Sequence, residues 1–577
     1  MNVRNLAGRV ALFAFALAFA SCRSPEAWRR EADERAERLI GLHRPAAVGE
    51  SGAIPIERPS DTFRRRLIAE QGLPSLAAAP PPAPSADAGA VARLSIEDAL
   101  RIGARNSREY QDAKEDVFRA ALALDLRQDE YRLSFAALAS GTYAERRGGE
   151  DPVRGVETAG ALSAQQRLAA GGSVAARLAV DLVKLLTLDR ESAYGLLADA
   201  TVTIPLLRGV GRDIAQEPMR QAERNLIYAL YDFERARRAF AARVVGDYLG
   251  ALQQQRTARN AEDNERRIAQ TTERAQRLAE AGRLPEIQAD QARQDLLRAR
   301  ERAVAARFAA EQRLDRFKIT LGLSSDARIA LDEAELDRLA SGDAATAPVA
   351  GFSFADGDAS VPAPQVERWV RAALRDRLDL RAALLRVEDA RRAARVAADA
   401  LRSGLSLELA GAAGERRSLG SAASGDASLD FGRGNYSAKL GWDWSWRRTA
   451  ERNAWRESLI ALERAQRRAE ETEDQVKAQV RDAARGLAQA HQSYEIQRQA
   501  VAVAQRRIES VDLFLQAGRA QIRDLLEAQE ALVSAQNALA AAVVARRAAE
   551  LTLLRDLERL RVDDDGQWRE ADDALEP

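Results

Sequence analysis

A long helical hairpin occurs twice in this sequence, and this duplication constrains the fold more than any other feature. The two copies turn at an Ala-Gly-Arg triplet centred on Gly282 and on Gly518, 236 positions apart. After the second turn, Leu525, Leu532 and Leu539 recur every seven residues, and alanines recur at the same interval after the first turn. Such rows form the packing seam of coiled-coil helices, in which small side chains let two backbones approach closely.

Each copy also contains segments in which apolar and polar residues alternate. In the first copy residues 133–139 and 198–204 alternate. In the second copy residues 405–409 alternate, and Tyr436, Trp442, Trp444 and Trp446 occupy one side of a further segment. Strands of a transmembrane barrel run for about ten residues with one face in lipid and the other in water. The aromatic residues favour a membrane-facing band over the alternative, which is a strand packed on a soluble core.

The first copy carries extra residues between its first long helix and its turn. The motif that begins at Glu115 recurs at Glu388, a shift of 273, whereas the turns are shifted by 236, so the first copy is 37 residues longer. Segments 160–168 and 174–182 flank a glycine-rich turn there and predict a hairpin. The spacing leaves open whether this hairpin (160–182) joins the barrel or stands outside it.

The strands predicted from the two copies are too few to form a closed barrel within one chain. Each copy supplies two such strands, whereas about eight strands are the practical minimum for closure. An open sheet edge is not stable in lipid, because its backbone groups would lack hydrogen-bond partners. Several chains are therefore expected to share one barrel.

The N-terminus has the features of an export signal. A short basic region is followed by the apolar stretch 10–20 and then by small residues and the single cysteine, Cys22. This order is typical of a secretory signal peptide, and Cys22 resembles the lipidated residue of a bacterial lipobox. The alternative is a plain signal peptide with an incidental cysteine. After residue 20, no apolar run is long enough to cross a bilayer as a helix.

Composition excludes several classes of function. Lys+Arg and Asp+Glu balance at 87 each, so no overall charge favours nucleic acid as a partner. Two histidines and one cysteine leave no material for a zinc site or a disulfide framework. The sequence contains no nucleotide-binding loop, nucleophile elbow or metal constellation. We therefore predict that the protein is not an enzyme and uses neither a cofactor nor a metal.

The order helix, strands, long helix, turn and helix, given twice over residues 94–563, resembles the TolC-like outer membrane efflux family. Segment 205–212 looks like its strand-to-helix junction, and 517–529 looks like its periplasmic tip. The lipobox is similar to that of the OprM branch. The resemblance implies a mainly α fold with transmembrane β: a tandem repeat of long coiled-coil helical hairpins whose strands contribute to a shared trimeric β-barrel above a periplasmic α-barrel. Three chains would supply about twelve strands, and more if the extra hairpin joins.

This family provides passive conduits, so the resemblance implies a homotrimeric channel for efflux of small molecules or type I secretion. The channel would lie in the outer membrane lipid of a diderm bacterium, anchored by lipid and spanning the periplasm, and would dock to a periplasmic adaptor protein and an inner-membrane transporter. The alternative is a periplasmic adaptor or coiled-coil scaffold lipoprotein. The cargo and the transporter it serves stay open.

The resemblance also implies a periplasmic gate. Two acidic residues that follow the second turn, Asp524 and Glu527, match the positions of the family's acidic rings; the alternative is that both are solvated surface acids. The family's tyrosine, arginine and aspartate constraints correspond here to Leu515, Ala520 and Gln288. That network is therefore absent in its usual form, and the gating mechanism stays open.

The two turns are the expected contacts for the adaptor. Gly282 and Arg283 lie at the first turn, and Gly518 and Arg519 lie at the second. Glycine ends a helix readily and leaves room for a partner helix to approach.

The sequence divides into six segments on this interpretation. They are the signal peptide (1–21), the lipid-anchored N-terminal segment and Pro-rich linker (22–93), the first helix–strand–helix repeat (94–323), the equatorial inter-repeat linker (324–364), the second repeat (365–562) and a loose C-terminal tail (563–577).

Overall fold

The structure is a computed structural model that describes residues 23–570 apart from a few short segments. The segments left out are 53, 57–62, 75–90, 147–152, 187–192, 341–351, 353, 355–359, 419–420 and 422–425. The predicted signal peptide and Cys22 lie outside the described residues.

Long helices dominate the part of the chain that is described. Its helices are α1 (Pro25–Val48), α2 (Phe63–Glu70), α3 (Ile96–Asn106), α4 (Arg108–Asp129), α5 (Arg212–Ala215), α6 (Glu217–Glu280), α7 (Glu286–Thr320), α8 (Ala334–Ala340), α9 (Ala363–Asp376), α10 (Leu378–Asp399), α11 (Thr449–Gln516) and α12 (Ile522–Asp556). Its strands are β1 (Ala92–Leu94), β2 (Ser134–Arg146), β3 (Val153–Arg167), β4 (Ser173–Leu185), β5 (Ala193–Pro205), β6 (Ile329–Leu331), β7 (Gly404–Glu415), β8 (Asn435–Asp443), β9 (Leu560–Val562) and β10 (Trp568–Glu570).

The chain divides into two compact units, and each unit draws on both copies of the repeat. The first unit combines Met1–Ala53, Val117–Leu230 and Ala383–Ala469, and the second combines Ile54–Asp116, Tyr231–Ala382 and Glu470–Pro577. The predicted pair of helical hairpins is confirmed: α6 and α11 have 64 and 68 residues, and α7 and α12 have 35 each. At 1.5 Å per residue, α6 and α11 are each about 100 Å long.

Both helical turns close with the same backbone hydrogen bonds. The amide of Arg283 donates to the carbonyl of Leu278 and the amide of Arg519 donates to that of Phe514, each at 2.8 Å. Gly282 and Gly518 adopt left-handed φ values of +69° and +71°. A six-to-one bond next to a left-handed glycine is the Schellman C-cap, which satisfies carbonyls that the helix end leaves unpaired.

We expect Gly518→Ala to lower the free energy of unfolding by about 1 kcal/mol, since a left-handed conformation is costly for any residue with a Cβ. No atom lies within 4 Å of the position that this Cβ would take, so the backbone conformation alone sets the cost. Gly486 is a matched control, because it lies inside α11 with equally open surroundings. Gly486→Ala should instead stabilise by up to about 1 kcal/mol. Thermal midpoints that move in the same direction would contradict this.

The core of the second unit surrounds Trp369, which is fully buried. Val480, Leu487 and Leu553 pack in the same cluster, and the Phe352 ring lies edge-on to Trp369 at 6.0 Å. The predicted inter-repeat linker contains β6 and α8, and β6 pairs in parallel with β1. Near the C-terminus, β9 and β10 form an antiparallel pair.

One six-stranded antiparallel sheet lies within the first unit, in the order β2-β3-β4-β5-β7-β8. The segments predicted as strands from both copies are all present in it. The predicted extra hairpin is β3 and β4, and it is longer than expected. This hairpin occupies the middle of the sheet, between β2 and β5, so it joins the sheet rather than standing outside it.

Candidate functional site: the sheet faces and the helical turns

The register of the sheet places apolar side chains on one face across all six strands. This apolar face carries Phe135, Tyr143, Val156, Leu162, Leu178, Val180, Leu182, Leu196, Val202, Ile204, Leu407, Leu409, Leu440 and Trp442. The predicted orientation of residues 198–204 is confirmed: Val202 faces the apolar side opposite Leu409, and Thr203 faces the other side opposite Glu408. Charged residues enter this face only near the strand ends, and they are Glu145, Arg154, Lys184 and Glu415.

Much of the apolar face is uncovered in a single chain. The exposed fraction is 66% for Phe135, 65% for Leu440 and 67% for Trp442. Soluble monomers rarely expose a contiguous apolar surface of this size, because water disfavours it. The face therefore requires a covering medium or partner.

The opposite face of the sheet, the polar face, pairs charges of opposite sign. Arg177 of β4 lies directly opposite Asp199 of β5, and Glu408 of β7 lies opposite Lys439 of β8. Cross-strand pairs of this kind are favourable at the short distance between directly opposed residues. Since the polar face tolerates charges in the middle of strands, it is suited to contact with water.

The predicted aromatic residues lie at the two ends of β8. Tyr436 is near its beginning, and its hydroxyl donates to the carbonyl of Phe431 at 2.7 Å. Trp442 is near its end, and Trp444 and Trp446 follow just beyond the strand, with ring centroids 5.8 Å and 4.7 Å apart along the series. Transmembrane strands are about nine to eleven residues long with aromatic residues at both interfaces. β8, with nine residues, has that length and arrangement.

The two outer edges of the sheet, on β2 and β8, pair with no other strand among the described residues. The row of partners that starts at Phe135, second in β2, runs through Ala164, Ala176, Ala200 and Gly411 to Tyr436, second in β8. Because β2 and β8 run in opposite directions, this row meets them at opposite ends. The strands are thus staggered, as strands tilted around a barrel must be.

The helical turns of the second unit lie side by side. Ile268, Ala275 and Ala292 of the first hairpin form one buried cluster with Ile522 and Leu526 of the second. Around this cluster, the four residues predicted to contact an adaptor are exposed, and they are Gly282, Arg283, Gly518 and Arg519. Their exposure leaves them accessible to a partner at the end of the hairpins.

The two predicted gate acids have local partners in the single chain. Asp524 Oδ2 accepts the amide of Gln521 at 2.8 Å and so caps the N-terminus of α12. Glu527 is exposed and pairs with Arg523 at 2.9 Å. Leu515, at the family's tyrosine position, packs on the buried cluster at the turns. Asp524 therefore has a structural role in capping α12, and Glu527 belongs to an exposed ion pair.

A buried polar network in the first unit was not predicted from the sequence. Asp389 of α10 accepts a hydrogen bond from the Tyr228 hydroxyl of α6 at 2.5 Å and from Arg392 at 2.8 Å. Arg392 also reaches Glu217 at 3.0 Å. Burial and the hydrogen bond to Asp389 raise the pKa of Tyr228 well above its usual value. Burial alone would lower the pKa of Arg392, but the carboxylates of Glu217 and Asp389 raise it.

Two other kinds of site are lacking among the described residues. None of their helices combines the length and the apolarity that crossing a bilayer requires. No group of histidine, cysteine and acidic side chains among them is placed to hold a metal ion.

Comparison with known proteins rests on structure, because no family model matches the sequence and no curated protein is similar to it. The CmeC outer membrane channel of Campylobacter jejuni aligns with a TM-score of 0.55 at 14% identity, over 83% of this chain and 87% of CmeC. The outer membrane protein VceC of Vibrio cholerae aligns with a TM-score of 0.55 at 13% identity, over 80% and 95%. The open MtrE outer membrane channel of Neisseria gonorrhoeae aligns with a TM-score of 0.54 at 14% identity, over 80% and 88%.

The chain has the fold of an outer membrane channel. This likeness confirms, at the level of the fold, the resemblance to TolC-like proteins that the duplicated hairpins and alternating strands predict. The alignments cover most of each channel and most of this chain, so the match extends into the long helices.

Proposed function

We propose that this protein is the subunit of a passive channel in the outer membrane of a diderm bacterium. The observation that carries the proposal is the apolar face, which is continuous over six strands, largely uncovered, and bounded by two edges that pair with no other described strand. Lipid covers such a face at little cost, and pairing β8 of one copy with β2 of the next removes both edges. The likeness to outer membrane channels supports the same conclusion.

The channel is a homotrimer with a shared barrel, anchored by a lipid on Cys22 and continued into the periplasm by α6, α7, α11 and α12. The polar face lines the lumen, where its charged pairs contact water. The exposed turns at Gly282, Arg283, Gly518 and Arg519 dock onto a periplasmic adaptor, which connects the channel to an inner-membrane transporter. The cargo is a solute for efflux or a secreted polypeptide, and the channel carries out no catalysis itself.

Fractionation and conductance together test this proposal. The protein should sediment with the outer membrane, migrate as a heat-modifiable oligomer and give discrete conductance steps in planar bilayers. The alternative, a periplasmic adaptor or scaffold lipoprotein, gives no conductance. Recovery as a soluble protein after cell disruption would also exclude the channel.

We propose that Asp524 and Glu527 form acidic rings at the periplasmic end of the channel. The variant Asp524→Asn/Glu527→Gln should raise the concentration of a trivalent cation needed to block conductance by at least about tenfold, because it removes two charges per chain from the axis. Asparagine keeps an oxygen that caps the amide of Gln521, so the helix start is retained. Glu530→Gln, at an exposed acid farther along α12, is the control. Equal block in all three proteins would contradict the assignment.

A further inference from the structure

We infer that the hairpin β3–β4 is part of the membrane-spanning sheet and widens the outer membrane exit to an eighteen-stranded barrel that passes bulky, hydrated cargo. The inference rests on the proposed trimeric channel and goes beyond it. The two alternating segments in each copy predict four strands per chain, and the structure has six in one sheet.

The hairpin pairs with both neighbouring strands over nearly its whole length. Residues Val153–Gln165 of β3 pair with Ser134–Arg146 of β2. Every residue of β4 has a partner on β3, from Ser173 opposite Arg167 to Leu185 opposite Gly155. On the other side, Ser173–Val183 pairs with Ala193–Thr203 of β5. An appended hairpin outside the membrane would leave β2 and β5 to pair with each other, but here β3 and β4 separate them.

The hairpin also continues both faces of the sheet. One row of the apolar face runs from Ala137 of β2 through Leu162 and Leu178 of the hairpin to Ala198 and Ala413. Residue by residue, the hairpin alternates in phase with the strands on either side. A hairpin with water on both faces would not be expected to place leucines in register with the lipid-facing residues of its neighbours.

Two inserted strands preserve closure of the barrel. With six strands per chain, β2 and β8 run in opposite directions, so β8 of one copy meets β2 of the next as an antiparallel neighbour. An insertion of one strand would have placed them in parallel. The hairpin is therefore an insertion that enlarges the ring without changing how copies join.

The size of the ring decides what can pass. With strands about 4.8 Å apart and tilted by about 40°, the backbone diameter is about 35 Å for eighteen strands and about 24 Å for twelve. Inward side chains occupy about 5 Å on each side, half the spacing of packed sheets, which leaves openings of about 25 Å and about 14 Å. A single helix is about 10–12 Å wide, so a helical hairpin fits through the wider opening alone. The charged pairs on the polar face suit hydrated cargo.

Paired cysteine variants of the full chain test the position of the hairpin. Leu178→Cys lies on the apolar face of β4 and Arg177→Cys on the polar face, while Leu440→Cys and Lys439→Cys form the matched pair on β8. Each variant is labelled with bimane and reconstituted in vesicles of brominated phosphatidylcholine, and the parent chain with Cys22 gives the background. We expect quenching by the brominated lipid at least about threefold stronger at Leu178→Cys than at Arg177→Cys.

The β8 pair distinguishes failure of the hairpin inference from failure of the proposed channel. If Leu440→Cys and Lys439→Cys differ but the β4 pair does not, the hairpin lies outside the membrane and the inference is wrong, while the proposed channel stands. If neither pair differs, the proposed channel is wrong as well.

Polymer exclusion measures the width of the exit. Polyethylene glycols added to the extracellular side should enter the parent channel up to a polymer radius of about 12 Å. For a variant that lacks residues 153–185, the limit should be about 7 Å. These radii are half the openings of the eighteen-stranded and twelve-stranded rings. Equal cut-offs for the two proteins, or a cut-off of about 7 Å for the parent channel, would overturn the inference. If the shortened variant does not assemble, the cut-off of the parent channel still decides.

Discussion

Leu440→Lys is expected to abolish the outer membrane oligomer. Leu440 lies in the middle of β8 on the apolar face and is 65% exposed in the single chain. In the assembled channel it faces lipid, where a lysine near the midplane costs about 2–4 kcal/mol. The cost is incurred once per chain, and β8 is also the strand that must pair with the next copy. Heat-modifiable oligomer on an unboiled gel of outer membranes measures the effect.

Ser437→Lys on the same strand is the control. Ser437 lies on the polar face opposite Ala410, so the added ammonium would project into the lumen. We expect it to leave the amount of oligomer unchanged. Comparable loss in both variants would mean that β8 is not a two-faced membrane strand.

The second large effect is expected for Asp389→Ala, which should lower the free energy of unfolding by about 3–5 kcal/mol, as breaking a buried ion pair does. Asp389 is 8% exposed, and its removal leaves the Tyr228 hydroxyl and one amino group of Arg392 without their acceptor. Glu388→Ala removes the neighbouring carboxylate, which is exposed and 3.7 Å from Arg224. That change should cost at most about 1 kcal/mol. Denaturant titration of the purified protein compares the two.

Equal destabilisation by the two alanine variants would show that the network around Asp389 is no more stabilising than a surface pair. Tyr228→Phe offers an intermediate case, because it removes one hydrogen bond and leaves the ion pair with Arg392 intact. We expect its effect to lie between those of Asp389→Ala and Glu388→Ala.

The sequence predicted the features that repeat or alternate. The heptad rows predicted α7 and α12, and the alternation at 198–204 predicted β5 with the correct faces. The alternation at 436–446 predicted β8 but was too long, because the strand ends at Asp443, before Trp444 and Trp446. Glycine at 282 and 518 predicted the helix ends, since few other residues adopt a left-handed conformation at low cost. These signals are local, so they can be read without knowing what the segment contacts.

Features that depend on distant partners could not be predicted in this way. Segments 160–168 and 174–182 predicted a hairpin, but its place in the middle of the sheet depends on pairing with β2 and β5. Asp389 marked the internal repeat, yet its partner Tyr228 lies 161 positions away in the chain. The capping role of Asp524 depends on the backbone conformation at Gln521, which an acidic pattern alone does not indicate.

Cryo-electron microscopy of the detergent-extracted particle tests the central claim most directly. The claim is that one chain has too few strands to enclose a pore and that sister chains complete it. The account predicts a single ring of strands shared by three chains, in which β8 of each chain pairs with β2 of the next. A particle of one chain, with its apolar face folded onto its own core or its sheet closed on itself, would contradict it.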